Sequence, residues 1–324
     1  MTRAIRLDRV GGPEVLSLRE VDRGEPQPGQ IAIRHTAIGV NYIDIYHRSG
    51  VYPLPLPATL GIEGAGTVVA VGPEVERIKI GDRVAYAGGA TGAYSVERVL
   101  DAARAVLLPD AISDEQAVSG LFAGLTAQFL LRQVHPVKAG ETIVIHAAAG
   151  KVGRIMCQWA NHLGATVIGT VGSDEKARIA AGHGCDVPVV YTREAVPEAV
   201  LRATGGAKAH VVYDSVGKDT FADSLDCLRP KGLLVSFGVA SGETPPVDLR
   251  VLLAKGSLFV TRPSFGHYMN ETAAYRDAVR ELFALVASGT ISIVTGQRFA
   301  LEDAAAAHRS LEERRTTAAT ILIP

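Results

Sequence analysis

Residues 142–160 read TIVIHAAAGKVGRIMCQWA: an apolar run, a turn of small residues, then an amphipathic stretch. A strand, tight turn and helix in that order hold phosphate when the turn backbone can approach it and the helix packs closely on the strand. Ala148, Gly150 and Gly153 occupy the three G-x-G-x-x-G positions as A-x-G-x-x-G, with Lys151 and Val152 between the glycines. Alanine at the first position keeps most of the closeness, and the lysine side chain can point outward. A nucleoside-triphosphatase loop is excluded: no glycine stands five residues before Gly150, and Val152 replaces the Ser/Thr that follows the lysine. Taken alone, the stretch also fits a purely structural turn. Val152, Ile155, Met156, Trp159 and Leu163 share one helical stripe and read as core.

The surroundings favour the cofactor turn. From residue 141, TIVIHA, TVIGTV, VPVVY, HVVYDSV and LLVSFG alternate with helical stretches starting near 151, 173, 193, 219 and 247, and SLFVTR (257–262) adds a strand. That alternation predicts an α/β fold, a doubly wound parallel sheet of the Rossmann kind. Upstream, IRL, VLSLREV, QIAIRHTAIGV, GAGTVVAVG and GDRVAYAG are short β-runs punctuated by Gly and Pro. The loop GVYPLPLPATLG (50–61) cannot be a central strand, because proline lacks the ladder donor. Ser113 caps a helix expected to reach about Gln133, and Asn270 one expected to reach about Ser288. ISIVTGQRFA and AATILI read as strands flanking the helix LEDAAAAHRSLEER. That tail is too short to be a domain and is expected to rejoin the β-rich part. The expected division is 1–124, 125–262 and 263–324, with the α/β unit inserted.

Composition narrows the function. The 324 residues are 47% apolar and 21% charged, a globular balance, and a net charge of −1 gives no reason to expect nucleic acid or an acidic membrane. Cys157, Cys185 and Cys227 form no C-x-x-C pair, so neither a disulfide framework nor a cysteine zinc site is indicated. The start MTRAIRLDRVGG has no apolar signal core, and no apolar run approaches about 18 residues, so a reducing cytoplasm is expected.

The second βα turn bears on the cofactor. Sites preferring NAD place a carboxylate about 20 residues on, where it accepts the ribose hydroxyls. Here Gly172-Ser173 is followed by Asp174, Glu175 and Lys176, and a small hydroxyl residue with a lysine three further on suits a 2′-phosphate. Tyr191, ending the third strand, can pack beside the adenine or donate to that phosphate. NADPH is therefore expected. The alternative makes SDEK a capped helical turn with a solvated lysine, leaving Asp174 for the ribose.

LGIEGAGTVVAVGPEVERIKIGDRV (60–84), NYIDIYHRSGVYP (41–53), GLTAQFLL (124–131), HAAAGKVG, GTVGSDEK (169–176), VVYDSVG (211–217), LLVSFG (233–238) and GSLFVTRPS (256–264) together resemble the quinone oxidoreductases. These are the zinc-free, zeta-crystallin-like branch of the medium-chain dehydrogenase/reductase superfamily, and the resemblance spans essentially the whole chain. It implies a GroES-like catalytic domain built from both chain ends, a Rossmann domain, and an NADPH-filled cleft between them. It also implies a homodimer joined through edge strands such as SLFVTR, consistent with the need to cover an apolar edge. Zinc alcohol dehydrogenases carry a His before the glutamate of G-H-E and a Cys near the position of Gly39. Here Ile62 precedes Glu63, and AIGVNYID has no Cys. Isoleucine cannot coordinate a metal, so no metal site is expected and Glu63 reads as a hydrogen-bonded structural carboxylate.

The resemblance assigns Tyr42 to Tyr46 and the backbone of Phe237-Gly238 to the nicotinamide half. It assigns Thr126 to the middle of the cofactor, and Gly172 to Lys176 with Tyr191 to the 2′-phosphate. Arg314 reaches the cofactor from the tail on the same reading, or is simply solvated. The chain departs from the branch at Lys151, which replaces a glycine, at Arg154, at Ala123, where relatives often carry lysine, and at Val239. One or both of Lys151 and Arg154 are expected to meet the pyrophosphate.

The reaction implied is NADPH-dependent reduction of a quinone or conjugated carbonyl by hydride or single-electron transfer. Without a metal, neutral donors must stabilise the developing oxyanion. Asn41, Tyr46 and Tyr52 are the candidates. Each has a structural alternative: Asn41 as a helix cap, Tyr46 as packing, Tyr52 as a loop anchor. Asp44 would hold its helix in place, His146 would sit satisfied at a strand end, and no general base is assigned. Two other functions stay open: an NADPH-dependent alkenal/enone reductase, and an NADPH-binding sensor or RNA-associating protein.

Overall fold

The computed structural model describes residues 1–313, 316 and 318–324. In chain order its elements begin with β1 (Thr2–Leu7), β2 (Leu16–Val21), β3 (Gln30–Val40), α1 (Tyr42–Ser49), β4 (Ala58–Thr59) and β5 (Glu63–Val71). Then come β6 (Arg83–Ala87), β7 (Glu97–Asp101), β8 (Val106–Leu107) and α2 (Asp114–Phe129). A βα series follows: β9 (Thr142–Ile145), α3 (Lys151–His162), β10 (Thr166–Val171), α4 (Asp174–Ala181), β11 (Val187–Val190), α5 (Val196–Ala203), β12 (Ala209–Asp214) and α6 (Phe221–Asp226). It continues through β13 (Leu228–Ser236), α7 (Leu249–Ala254) and β14 (Phe259–Thr261). The chain closes with α8 (Phe265–Met269), α9 (Thr272–Ala287), β15 (Thr295–Ala300), α10 (Ala304–Glu312) and β16 (Ala319–Ile323).

Two compact units emerge. The first comprises Met1–Ala123, Met269–Arg280 and Ile293–Pro324; the second Gly124–Tyr268 and Glu281–Ser292. In the first unit β3 is central: it pairs antiparallel with β5, β7 and β16, and its Ile31, Ile33, Ala37 and Ile38 are fully buried. The tail strand β16 therefore joins the N-terminal sheet directly, at Leu322↔Ile38. The proline loop yields only the two-residue strand β4, at the edge of the small β2-β1-β4 sheet.

The second unit is a six-stranded parallel sheet in the order β11-β10-β9-β12-β13-β14. Its first strand β9 lies in the middle, with Ile143, Val144 and Ile145 fully buried, and the strand order reverses there. In open α/β sheets, ligands bind beyond the strand ends at such a reversal.

Several boundaries differ from the expectation. The second unit extends to Tyr268 because α8 stacks Tyr268 on Phe129, ring centroids 5.1 Å apart, with Phe265 edge-on at 6.1 Å. It also takes in residues 281–292, since Glu281 accepts from Gln128 Nε2 at 3.0 Å and from Arg132 Nε at 3.2 Å. Ser113 and Gln116 form the reciprocal capping bonds that start α2, at 3.1 and 3.0 Å. The helical segment reaches the expected end near Gln133, but its last turn, Leu130–Val134, is a π-turn, whose two leucines are fully buried. Of SLFVTR only Phe259–Thr261 is strand, and of ISIVTGQRFA only Thr295–Ala300.

Candidate active site

The β9–α3 turn has the closeness a phosphate loop needs. A β-carbon on Gly153 would overlap the Ala147 carbonyl and lie 2.8 Å from Ala148 Cα, so only glycine lets α3 seat on the turn. Gly150 is the N-cap of α3, and a β-carbon there would meet nothing nearer than the Ala147 carbonyl at 3.1 Å. Lys151 and Val152 form the first half-turn of the helix. Arg154 is buried and turns back, its Nε donating to the Ala149 carbonyl at 2.9 Å; burial lowers its pKa. It thus braces the turn from behind. These features fit a dinucleotide pyrophosphate laid against the helix N-terminus.

At the second turn, Ser173 caps α4, its hydroxyl accepting from the Lys176 amide at 3.3 Å. A β-carbon on Gly172 would lie 2.7 Å from the Tyr191 hydroxyl, so Tyr191 closes directly over this turn. Beside it, Arg193 grips Asp174 with two nitrogens, at 2.5 Å to Oδ1 and 3.1 Å to Oδ2. This pair was not anticipated from the sequence. The signal was there in YTRE, where Arg193 follows Tyr191 at a spacing of two.

The ends of β12 and β13 are held by a buried polar cluster. Asp214 accepts from the Val216 and Gly217 amides at 2.8 and 3.0 Å and from the Thr220 and Ser224 hydroxyls. Because Ser224 donates to Asp214 at 2.9 Å, it must accept from His146 Nε2 at 3.0 Å; Nδ1 then accepts from Thr170 Oγ1 at 2.9 Å. Burial lowers the pKa of His146, which is a satisfied neutral strand-end residue as expected. A β-carbon on Gly238 would lie 2.5 Å from the Ser215 carbonyl, so Phe237-Gly238 offers bare backbone. Val239 is buried, as are Thr126 and Ala123.

In the first unit Asn41, the N-cap of α1, donates from Nδ2 to Glu63 at 3.0 Å, and Glu63 also accepts the Phe122 amide at 2.7 Å. Glu63 is thus a hydrogen-bonded carboxylate, with no exposure to solvent. A β-carbon on Gly39 would overlap its carboxylate and lie 2.9 Å from the Val118 carbonyl, which leaves no room for a cysteine. Asp44 accepts the Asn41 amide at 2.9 Å, holding the helix as expected. Tyr46 and Tyr52 meet edge-to-face at 5.2 Å, with Tyr42 tilted 6.2 Å from Tyr46, so the three phenols form one aromatic row. The Tyr42 hydroxyl donates to the Leu311 carbonyl at 3.0 Å. Arg314 lies outside the described residues.

Behind α1 runs a chain the sequence did not disclose. Arg48 pairs with Glu312 at 2.6 Å and donates to His308 Nδ1 at 3.2 Å. Arginine can only donate, so His308 carries its proton on Nε2 and gives it to the Tyr94 oxygen at 3.0 Å; Tyr94 in turn donates to Asp44 at 3.1 Å. Burial, with Arg48 adding to it, pushes the His308 pKa down to about 3.

Comparison with known proteins agrees with this architecture. Residues 27–130 match the alcohol dehydrogenase GroES-like domain, and residues 152–287 the zinc-binding dehydrogenase domain. A quinone oxidoreductase of Pseudomonas aeruginosa is 53% identical, with 100% of both chains covered. The crystal structure of Escherichia coli quinone oxidoreductase complexed with NADPH superposes with a TM-score of 0.97 at 47% identity, covering 99% of this chain and 100% of that one. A 2-haloacrylate reductase from Burkholderia sp is 43% identical over 100% of this chain and 99% of its own. With a GroES-like part, a doubly wound parallel sheet and full-length similarity of this degree, the chain belongs to the quinone oxidoreductase family.

Proposed function

We propose that the protein is an NADPH-dependent quinone reductase working without a metal, in which the βα turns bind the dinucleotide and neutral side-chain donors hold the acceptor. The observation that carries this reading is the residue set around Glu63: Gly39 and Ile62 stand where zinc enzymes carry Cys and His, and the buried carboxylate is held by the neutral amide of Asn41 and the Phe122 backbone amide. Ile62 beside it offers no ligand atom. The related Escherichia coli structure is of a complex with NADPH, and relatives over the full length are quinone oxidoreductases.

Bound NADPH supplies a hydride from its nicotinamide ring, and the protein's part is positioning and charge stabilisation. Gly150, Lys151, Val152 and Gly153 receive the pyrophosphate; Gly172, Ser173, Lys176 and Tyr191 receive the 2′-phosphate. Thr126, Tyr42 and the Phe237-Gly238 backbone orient the nicotinamide half. Asn41, Tyr46 and Tyr52 donate to the quinone oxygen as negative charge grows on it. Neutral donors suffice because a quinone is already electron-poor, and a preorganised donor costs no rearrangement at the moment of reaction.

We further assign a homodimer through the edge of the parallel sheet. β14 ends that sheet with Phe259 61% exposed, and α7 presents Leu249 and Leu253 at 76% and 71% exposed, apolar surface that water disfavours. The cytoplasm suits three buried free cysteines, and no helix among the described residues is long and apolar enough to cross a membrane.

Steady-state rates with a panel of quinones and enones, using NADPH and NADH in parallel with and without a chelator, test the reading. Quinone reduction with NADPH that is indifferent to the chelator supports it; activity lost to the chelator and restored by zinc overturns it. The haloacrylate-reducing relative favours a second reading, reduction of a conjugated carbonyl at the same site, which enone rates exceeding quinone rates would establish.

A further inference from the structure

The contact between Asp174 and Arg193 bears on which dinucleotide the protein accepts, and the argument rests on the NADPH reading above. The first turn of α4 opens with two carboxylates, Asp174 and Glu175. A carboxylate here is what dinucleotide sites use to accept ribose hydroxyls, and it repels a 2′-phosphate. Left to itself, Asp174 would therefore argue for NADH. It is not left to itself: Arg193 holds both of its oxygens, fork to fork.

Three neighbouring contacts show that this is a built juxtaposition of two turns. Tyr191 closes over Gly172, the Thr192 hydroxyl reaches the Gly172 carbonyl at 3.5 Å, and Arg193 grips Asp174. Tyr191 and Thr192 thus both lie against Gly172, and Arg193 against Asp174. Ser173, whose hydroxyl is tied to the Lys176 amide, fixes the start of the helix between them.

Arg193 and Asp174 are 61% and 62% exposed, so their bond adds little to folding stability. Its effect is on charge. The guanidinium cancels Asp174 and occupies the oxygens that a ribose would need, while its five donors allow it to hold a carboxylate and a phosphate together. We propose that Arg193 is a specificity-determining residue: by sequestering Asp174 and supplying a cation beside Tyr191, it keeps that carboxylate from opposing the 2′-phosphate and so lets the turn select the 2′-phosphorylated cofactor. Lys176 then adds to an already favourable field instead of compensating a hostile one.

The test is equilibrium binding, read from the fluorescence of the reduced dinucleotides, on the full chain and the variants Arg193→Leu, Arg193→Lys, Asp174→Asn and the double Arg193→Leu/Asp174→Asn. Arg193→Leu is expected to weaken NADPH roughly tenfold or more, as loss of a charge-assisted bond does, and to tighten NADH. Asp174→Asn in the Leu background should remove the NADH gain and restore part of the NADPH affinity, and Arg193→Lys should keep part of the preference. Equal changes for both dinucleotides, or a preference that survives Arg193→Leu, would overturn the inference alone. A wild-type protein that binds NADPH and NADH alike would overturn the NADPH reading and this inference with it.

Discussion

Gly39 lies so close to Glu63 that a β-carbon at residue 39 would overlap the carboxylate, with Cδ 2.8 Å away. The small residue and the buried acid are one structural unit. Gly39→Ala is expected to cost about 1–3 kcal/mol, the usual range for overpacking a filled interior. Gly39→Cys combined with Ile62→His is expected to bind no zinc, because the thiol cannot enter without displacing Glu63 from Asn41. Thermal unfolding with and without zinc checks both; a zinc-dependent rise in Tm would refute the second.

The acceptor donors can be separated from the scaffold by removing single hydroxyls. Tyr46→Phe and Tyr52→Phe keep both rings and so the edge-to-face contact at 5.2 Å. If a phenol donates to the developing oxyanion, kcat/KM for quinones falls by about 10–1,000-fold, the scale of one lost donor. An unaltered kcat/KM in both variants would assign the phenols to packing.

Lys151 and Gly153 affect the same turn differently. Gly153→Ala must push α3 off Ala147 and Ala148, so both stability and NADPH affinity should fall. Lys151→Gly should instead weaken NADPH by a few fold and flatten the salt dependence of binding, since what it removes is charge. Titrations at low and high salt tell them apart, and an unchanged salt slope would exclude Lys151 from the pyrophosphate.

Of the histidines whose pKa burial lowers, two contribute most to acid sensitivity. His308 and His35 both have their pKa lowered from 6.5 to about 3, chiefly by burial. Between those values the unfolded chain takes up protons that the folded one refuses. Stability should therefore be level above about pH 6.5 and fall as pH drops towards about 3, by up to about 1.4 kcal/mol per pH unit for each histidine. Urea unfolding between pH 7.5 and 4.5 measures the slope, and His308→Gln should reduce it. An identical slope in the variant would show that His308 is not the group titrating.

The strand–turn–helix at 142–162, the βα alternation and the return of the tail to the first sheet were legible from the sequence. Each depends on spacing along the chain: an apolar run, small residues at fixed offsets, a period that changes from two to 3.6. The same holds for Ser113 and Asp44, whose partners lie three residues away. Where helix α2 gives way to a π-turn was not legible: nothing in the spacing of LLRQV marks it, and the burial of Leu130 and Leu131 is a tertiary property.

What the sequence determined alone is therefore the kind of turn, the kind of sheet and the residue types on offer at the site. What only the tertiary structure decided is which of those residues meet: Gly39 with Glu63, Asp174 with Arg193, and Arg48 with His308 and Tyr94. These partners stand between 19 and 260 residues apart where the bonds join them. No local rule links residues at such separations; the folded backbone brings them together, and a buried or charged group then takes whichever partner lies within reach.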